Sequence, residues 1–274
     1  MLILRRVHDN DVDNDVVEAT PPPGVPVLEA RNVEKHFGRV VALSNGSFQL
    51  RPNEVHAIVG DNGAGKSTLI KIISGVFHPD AGELLLNGQP VEIPNPRVAR
   101  ELGIETVYQD LALANHLDAA ANLFLGREEL LPPPLSWFGL LDKKAMRRRA
   151  AEEMRRLKIG IQSVEQPVLG LSGGQRQAVA VARAVAWGRR IVIMDEPTAA
   201  LGVRESAMVL ELIKEVRSHG LSVVMISHNL PEVFAVADRI TILRLGRTIA
   251  TLNREDTSLD AIVGMMTGAV ATAA

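Results

Sequence analysis

The hydrophobic pattern of this chain changes character at Val27. Before it, residues 1–26 hold Asp9, Asp11, Asp13, Asp15 and Glu18 among few large apolar side chains and run into Pro21-Pro22-Pro23. Such a stretch cannot bury enough apolar surface to order itself, so a disordered acidic, proline-rich tail is expected. From Val27 onward, short runs at 27–30, 47–50 and 55–59 alternate with turn residues and predict strands. Residues 69–73 continue as an apolar-periodic helix. The runs 83–86 and 91–93 flank Asn87-Gly88, a hairpin signal. Residues 111–170 read as mostly helical, with a loop at Leu131-Pro132-Pro133-Pro134. Further on, an Ala/Val-rich helix at 178–187 precedes strands at 191–194 and 222–226 that alternate with helical patterns at 206–216 and 231–237. A hairpin of 240–243 with 248–252 turns near Gly246. Alternation of this kind predicts an α/β fold with a mainly parallel sheet flanked by helices.

Within that frame, Gly60-Asp61-Asn62-Gly63-Ala64-Gly65-Lys66-Ser67-Thr68 fits the phosphate-binding pattern G-x-x-x-x-G-K-[ST]. The context matches the chemistry, because a buried-looking strand runs into the loop and a helix leaves it. Glycines let the backbone curl until several N–H groups point at phosphate oxygens, and the helix start adds partial positive charge. Lys66 brings a point charge to the β- and γ-phosphates, and Ser67 offers a hydroxyl to Mg²⁺. The chain is therefore expected to bind a nucleoside triphosphate.

Two further segments narrow the chemistry. Asp195-Glu196 closes the run Ile191-Val192-Ile193-Met194, which puts two carboxylates at a strand's C-terminal end, where ligands of α/β sheets sit. Asp195 is suited to hold Mg²⁺ and Glu196 to orient and deprotonate an attacking water. Leu171-Ser172-Gly173-Gly174-Gln175 opens the helix at 178–187 and forms a second glycine-exposed helix start, a second anion cradle. Because one nucleotide has one γ-phosphate, a head-to-tail dimer is the economical arrangement, each such segment closing over the neighbour's nucleotide.

Composition removes several classes. The 274 residues carry a net charge of −2, so no global basic field argues for nucleic acid as a partner. There is no cysteine, which excludes disulfides, thiolate metal sites and cysteine nucleophiles. No apolar run is long enough to span a membrane. Any membrane role is expected through a partner.

The phosphate loop, Gln109, the 171–175 segment, Asp195-Glu196 and His228 in Ile226-Ser227-His228 occur in the order of ABC transporter ATPases, and the resemblance covers residues 27–256. It implies a P-loop NTPase (RecA-like) core, an N-terminal antiparallel β subdomain, an inserted α-helical subdomain at about 111–170, and a short C-terminal tail at 257–274. It also implies ATP with Mg²⁺ as cofactors and specific residue roles. Phe37 stacks on adenine, Gln109 links the Mg²⁺ site to the helical subdomain, and His228 contacts the γ-phosphate. Many members carry Asp where this chain has Gly202, so a carboxylate is missing from the segment that follows the dimer seam. Several stretches resemble sugar-importer ATPases of the ribose, xylose and fructose type, in a single-cassette form. That resemblance implies a transmembrane permease, an extracytoplasmic sugar-binding protein and a place at the cytoplasmic face of the membrane. Other classes to weigh against it are a soluble ABC ATPase acting on DNA or ribosomes and an idle ATP-binding scaffold. Long coiled coils and a second cassette are missing for the first, and Glu196, Gln109 and His228 argue against the second.

One charged stretch stands apart. Residues 143–158 hold eight basic and two acidic side chains around an apolar stripe of Met146, Ala150, Met154 and Leu157. A solvated face on a core-packed helix is the plain expectation, with attraction to lipid headgroups or the permease as the sharper one. Glu152 and Arg156 are spaced for an i,i+4 pair. His56, on a strand, is expected to be packed rather than catalytic.

Overall fold

The strands fall into two sequence types, and the type decides where each sits. β3 (Val55–Val59), β7 (Ile191–Asp195) and β8 (Ser222–Ile226) are apolar along nearly their whole length and buried on both faces. In this computed structural model, which describes Pro22 and residues 24–269, they form the centre of a parallel set. β1 (Leu28–Phe37) and β2 (Val40–Leu50) mix exposed and buried positions and pair antiparallel, as do β4 (Ala81–Leu86) and β5 (Gln89–Val91). The strand order is β5-β4-β1-β2-β10-β9-β3-β8-β7-β6, with β6 at Ile104–Val107, β9 at Arg239–Arg244 and β10 at Arg247–Asn253.

Period-two alternation in the central strands divides the core between two faces. Ile58, Ile104, Ile193, Val224 and Ile226 pack with α1 (Lys66–Ile73) and α2 (Pro96–Glu101). Val55, Val107, Val192, Met194 and Met225 pack on the other face. Their neighbours there come from α3 (Ala119–Phe124), α4 (Lys143–Arg156), α5 (Gly173–Trp187) and α6 (Val203–Ser218). α7 (Leu230–Val236) and α8 (Leu259–Thr267) cover the β9 side.

The structure differs from the sequence expectation at four places. β1 and β2 run well beyond 27–30 and 47–50, because their paired neighbours satisfy backbone groups that local propensity leaves open. Residues 111–170 contain less helix than expected. Apart from α3, α4 and short 3₁₀ turns, the segment is irregular, interrupted by Gly126, Pro132–Pro134 and Gly139. Its loop is held by buried Asn122, which accepts from the Ala114 N–H at 2.8 Å and donates to the carbonyls of Ala114, Leu117 and Asp118. The expectation of a tail at 257–274 is corrected for α8, whose Ile262 is fully buried beside Ile240 and Ile242. Finally, Arg156 pairs with Glu153 at 3.6 Å, at i,i+3 spacing, rather than with Glu152 at i,i+4. The tail expected at 1–26 lies outside the described residues except for Pro22 and residues 24–26.

α4 is packed through Met146, Ala150 and Met154 as its stripe implies, and several of its basic residues are paired, Arg147 with Glu165 and Arg149 with Glu129 among them. His56 is packed as expected. It is fully buried between Glu54 at 3.2 Å and Thr241 at 2.7 Å, edge-on to Phe48, and burial pushes its pKa down against the pull of Glu54.

Candidate functional site

Four neighbouring parallel strands deliver the sequence-predicted residues to one edge of the sheet. β3 ends at Val59 and opens the phosphate loop. β8 ends at Ile226, two residues before His228. β7 ends at Asp195, and β6 ends two residues before Gln109. Since β3-β8-β7-β6 are adjacent and parallel, their C-terminal ends lie side by side, with Asp195 in register with Ile226 and Val107 with Met194. This is the strand edge where α/β proteins bind ligands.

The loop's glycines are required by close approach. At Gly60, with φ +155°, an added Cβ would lie 2.2 Å from the Leu243 carbonyl oxygen of β9. At Gly65, with φ +104°, it would lie 2.7 Å from Leu43 Cδ2 and 2.9 Å from the Ala42 carbonyl oxygen. Asp61 accepts the Ala64 N–H at 3.0 Å, which closes the turn containing Asn62 and Gly63. α1 then begins at Lys66 with no side-chain cap, so its first N–H groups face the loop. Lys66 is buried, and its Nζ donates to the Gly60 carbonyl at 2.6 Å and the Asp61 carbonyl at 3.0 Å. Desolvation lowers its pKa, partly offset by the fields of Glu196, Asp61 and Asp195. An uncapped helix start beside a buried ammonium bonded to carbonyls is a fit for phosphate oxygens. Ser67 is exposed and Thr68 half-buried at the same helix start.

The carboxylate pair behaves as two different groups. Asp195 is held above the usual carboxylate range by burial first and by Glu196 second, with Lys71 and Lys66 pulling the other way. A carboxyl in that position gains from a nearby cation. The donors expected for Mg²⁺, namely the Ser67 hydroxyl, the Gln109 carboxamide and Asp195, are hard oxygen donors of the type this ion takes. Among the described residues no cluster of three His, Cys, Asp or Glu side chains forms a self-contained metal site. Glu196 sits at φ +50°, its N–H donates to the Ile226 carbonyl at 2.9 Å, and its Oε1 lies 2.8 Å from His228 Nδ1. The left-handed backbone aims this carboxylate away from the strand and toward the exposed His228 ring.

The glycine-serine segment stands apart from this cluster. Ser172 caps α5, its hydroxyl oxygen accepting the Gln175 N–H at 3.3 Å while Gln175 Oε1 accepts the Ser172 N–H at 3.0 Å. Gln175 Nε2 donates to the Gly160 carbonyl. Among the described residues, the side-chain bonds of Ser172 and Gln175 and the bond from the Gly174 N–H stay within this segment or run to Gly160 and Glu205, not to the phosphate loop. Phe37 ends β1, 43% exposed, edge-on to Phe77 with ring centroids 5.1 Å apart.

Three residues here were not singled out as functional from the sequence. Arg183 of α5 donates to the carbonyls of Leu111 at 2.7 Å and Ala112 at 2.8 Å, which ties the helix headed by Ser172 to the segment that follows Gln109. Its signal was a lone charge inside an apolar helix. Glu232 accepts from the Thr198 hydroxyl, joining the Asp195-Glu196 loop to α7. Glu205 reaches the start of α5, and its signal was an acid three residues after a helix-opening glycine.

A loop of this sequence between strand and helix, a strand-end Asp-Glu pair, and a capped glycine-serine helix start define an ATP-binding cassette. The match to the ABC transporter family runs over residues 43–199, and the chain belongs to that family. It is 54% identical to the fructose import ATP-binding protein FrcA of Rhizobium meliloti, over 89% of this chain and 95% of that one. A ribose/galactose/methyl galactoside import ATP-binding protein of Burkholderia lata is 43% identical over 92% of this chain, which spans only 48% of that relative's length. A cassette solved as a dimer in a post-hydrolysis state, bound to ADP and phosphate, superposes with a TM-score of 0.69 at 25% identity, covering 83% of this chain and 98% of the other.

Proposed function

We propose that this chain is the ATP-hydrolysing subunit of a multisubunit sugar importer. It works as a homodimer at the cytoplasmic face of the membrane, beside transmembrane permease subunits supplied by an extracytoplasmic sugar-binding protein. The observation that carries the hydrolytic reading is the 2.8 Å contact between Glu196 and His228 at the end of two adjacent strands, beside the loop that buries Lys66. In this reading the phosphates lie on the 60–68 loop, with Lys66 leaving the Gly60 and Asp61 carbonyls for the β- and γ-oxygens. Phe37, half-exposed at the end of β1, offers its face to adenine. Glu196 takes the proton of the attacking water, and His228, held through Nδ1 by Glu196, lies against the γ-phosphate. Bound Mg²⁺ supplies charge neutralisation on the phosphate oxygens, with Ser67, Gln109 and Asp195 as its protein-side partners.

The dimer reading is supported by the separation of the two anion cradles within one chain and by the dimeric cassette to which this chain is similar. In that arrangement Ser172, Gly173, Gly174 and Gln175 of one protomer close over the nucleotide of the other. Arg183 passes the movement of α5 to the segment after Gln109 and so toward the permease. Sugar as cargo is supported by the relatives named for fructose and ribose/galactose import. The test is to purify the intact assembly in lipid and measure phosphate release with fructose, ribose and xylose. Stimulation by one sugar in the presence of its binding protein is expected. Turnover indifferent to every sugar, or activated by DNA or ribosomes, would remove this reading.

A further inference from the structure

One donor of the second cradle, the Gly174 N–H, is already engaged within the chain. Glu205, in the first turn of α6, sends its carboxylate to the start of α5. Its Oε1 accepts the Gly174 N–H at 3.3 Å. Its Oε2 accepts the Gly202 N–H at 3.3 Å. These bonds hold the carboxyl below the usual range, with Arg176 adding to the effect, so the group is charged at neutral pH. The approach depends on glycine. A Cβ on Gly174 would lie 3.0 Å from Glu205 Cβ and 2.7 Å from Met208 Cε, and a Cβ on Gly173 would lie 2.9 Å from Leu201 Cδ2. Gly202, which has no side chain with which to cap α6, leaves that task to Glu205.

We propose that Glu205 is a positioning residue that occupies the glycine-serine cradle of the open chain and is displaced by the γ-phosphate of the opposing protomer's MgATP, so that its charge sets how tightly the two protomers close. The inference rests on the facing-protomer arrangement proposed above. Its physical basis is competition. The Gly174 N–H can serve one anionic oxygen well, and two anions cannot share it at contact distance. Glu205 keeps that donor satisfied while the nucleotide is absent, and its withdrawal frees both the start of α5 and the Gly202 seam in one movement. The link to Gly202 gives this chain a carboxylate acting at a segment where many family members carry one at residue 202 itself.

The experiment uses the full chain carrying Glu196→Gln, so that MgATP is retained, with and without Glu205→Gln. Sedimentation measures the dimer dissociation constant across protein and MgATP concentrations. Neutralising Glu205 is expected to tighten the dimer by about tenfold per site, the worth of hydrogen bonds to a charged group. Glu205→Ala, which removes the arm altogether, is expected to move the constant in the same direction. A residue that served only to cap α6 would do the opposite, since its loss loosens the helix and weakens association. Dimers of both variants equal to or weaker than the Glu196→Gln chain would overturn the role of Glu205 alone. Failure of the Glu196→Gln chain itself to dimerise with MgATP would overturn the facing-protomer reading, and this inference with it.

Discussion

Replacing Glu196 by Gln tests the proposed proton abstraction directly. The two side chains have nearly the same shape, so the 2.8 Å contact with His228 Nδ1 survives with an amide in place of the carboxylate. The backbone bond from the Glu196 N–H to the Ile226 carbonyl does not involve the side chain at all. The fold is therefore expected to change by less than about 0.5 kcal/mol, as for other substitutions that remove no packing. Loss of a general base slows turnover by roughly 10²–10⁴, which corresponds to about 2.7–5.5 kcal/mol of transition-state stabilisation. Binding moves the other way. Glu196 is one of the negative charges that raise the pKa of Asp195, so removing it lets Asp195 ionise more readily and reduces repulsion toward phosphate oxygens. The variant is expected to hold MgATP as tightly as the parent or tighter. Phosphate release gives the first quantity and titration with a fluorescent ATP analogue the second. Turnover within about fivefold of the parent, in a variant that still binds ATP, would refute the assignment of Glu196 as base.

Lys66→Ala removes the buried ammonium from the Gly60 and Asp61 carbonyls, and ATP affinity is expected to fall by roughly 10–100-fold or more, as for loss of charge-assisted bonds, in the same titration. His56 predicts an acid limb in stability. Its folded pKa lies below the unfolded value of about 6.5, so the unfolded chain takes up the extra proton. Stability is then whole above that value and declines as pH falls from it toward the folded pKa. Thermal unfolding between pH 7.5 and about 5 should show that decline, and His56→Phe should flatten it while lowering the midpoint throughout.

What could be read along the chain was whatever is encoded locally. The phosphate loop declares itself because its glycines, lysine and serine act within nine consecutive residues on a strand-to-helix turn. Asp195-Glu196 and the helix capped by Ser172 are equally local, since a strand end and a capping box are each specified by a few neighbours. The central strands were legible because burial on both faces demands unbroken apolar runs. Where pairing partners decide, local pattern stopped short, as with the long paired strands β1 and β2 and the irregular 111–170 segment organised around Asn122.

Only the tertiary structure brings Glu196 to His228, 32 residues on, because that contact depends on β7 and β8 being neighbours in the sheet. The same holds for Arg183 reaching back 71 residues to the Ala112 carbonyl and for Glu205 lying over the Gly174 N–H. Residue types and spacing state which groups are present and which helix or strand carries each one. The order in which strands line up, and the side of a helix that meets its neighbour, follow from burying apolar faces against one another. That choice belongs to the folded chain as a whole.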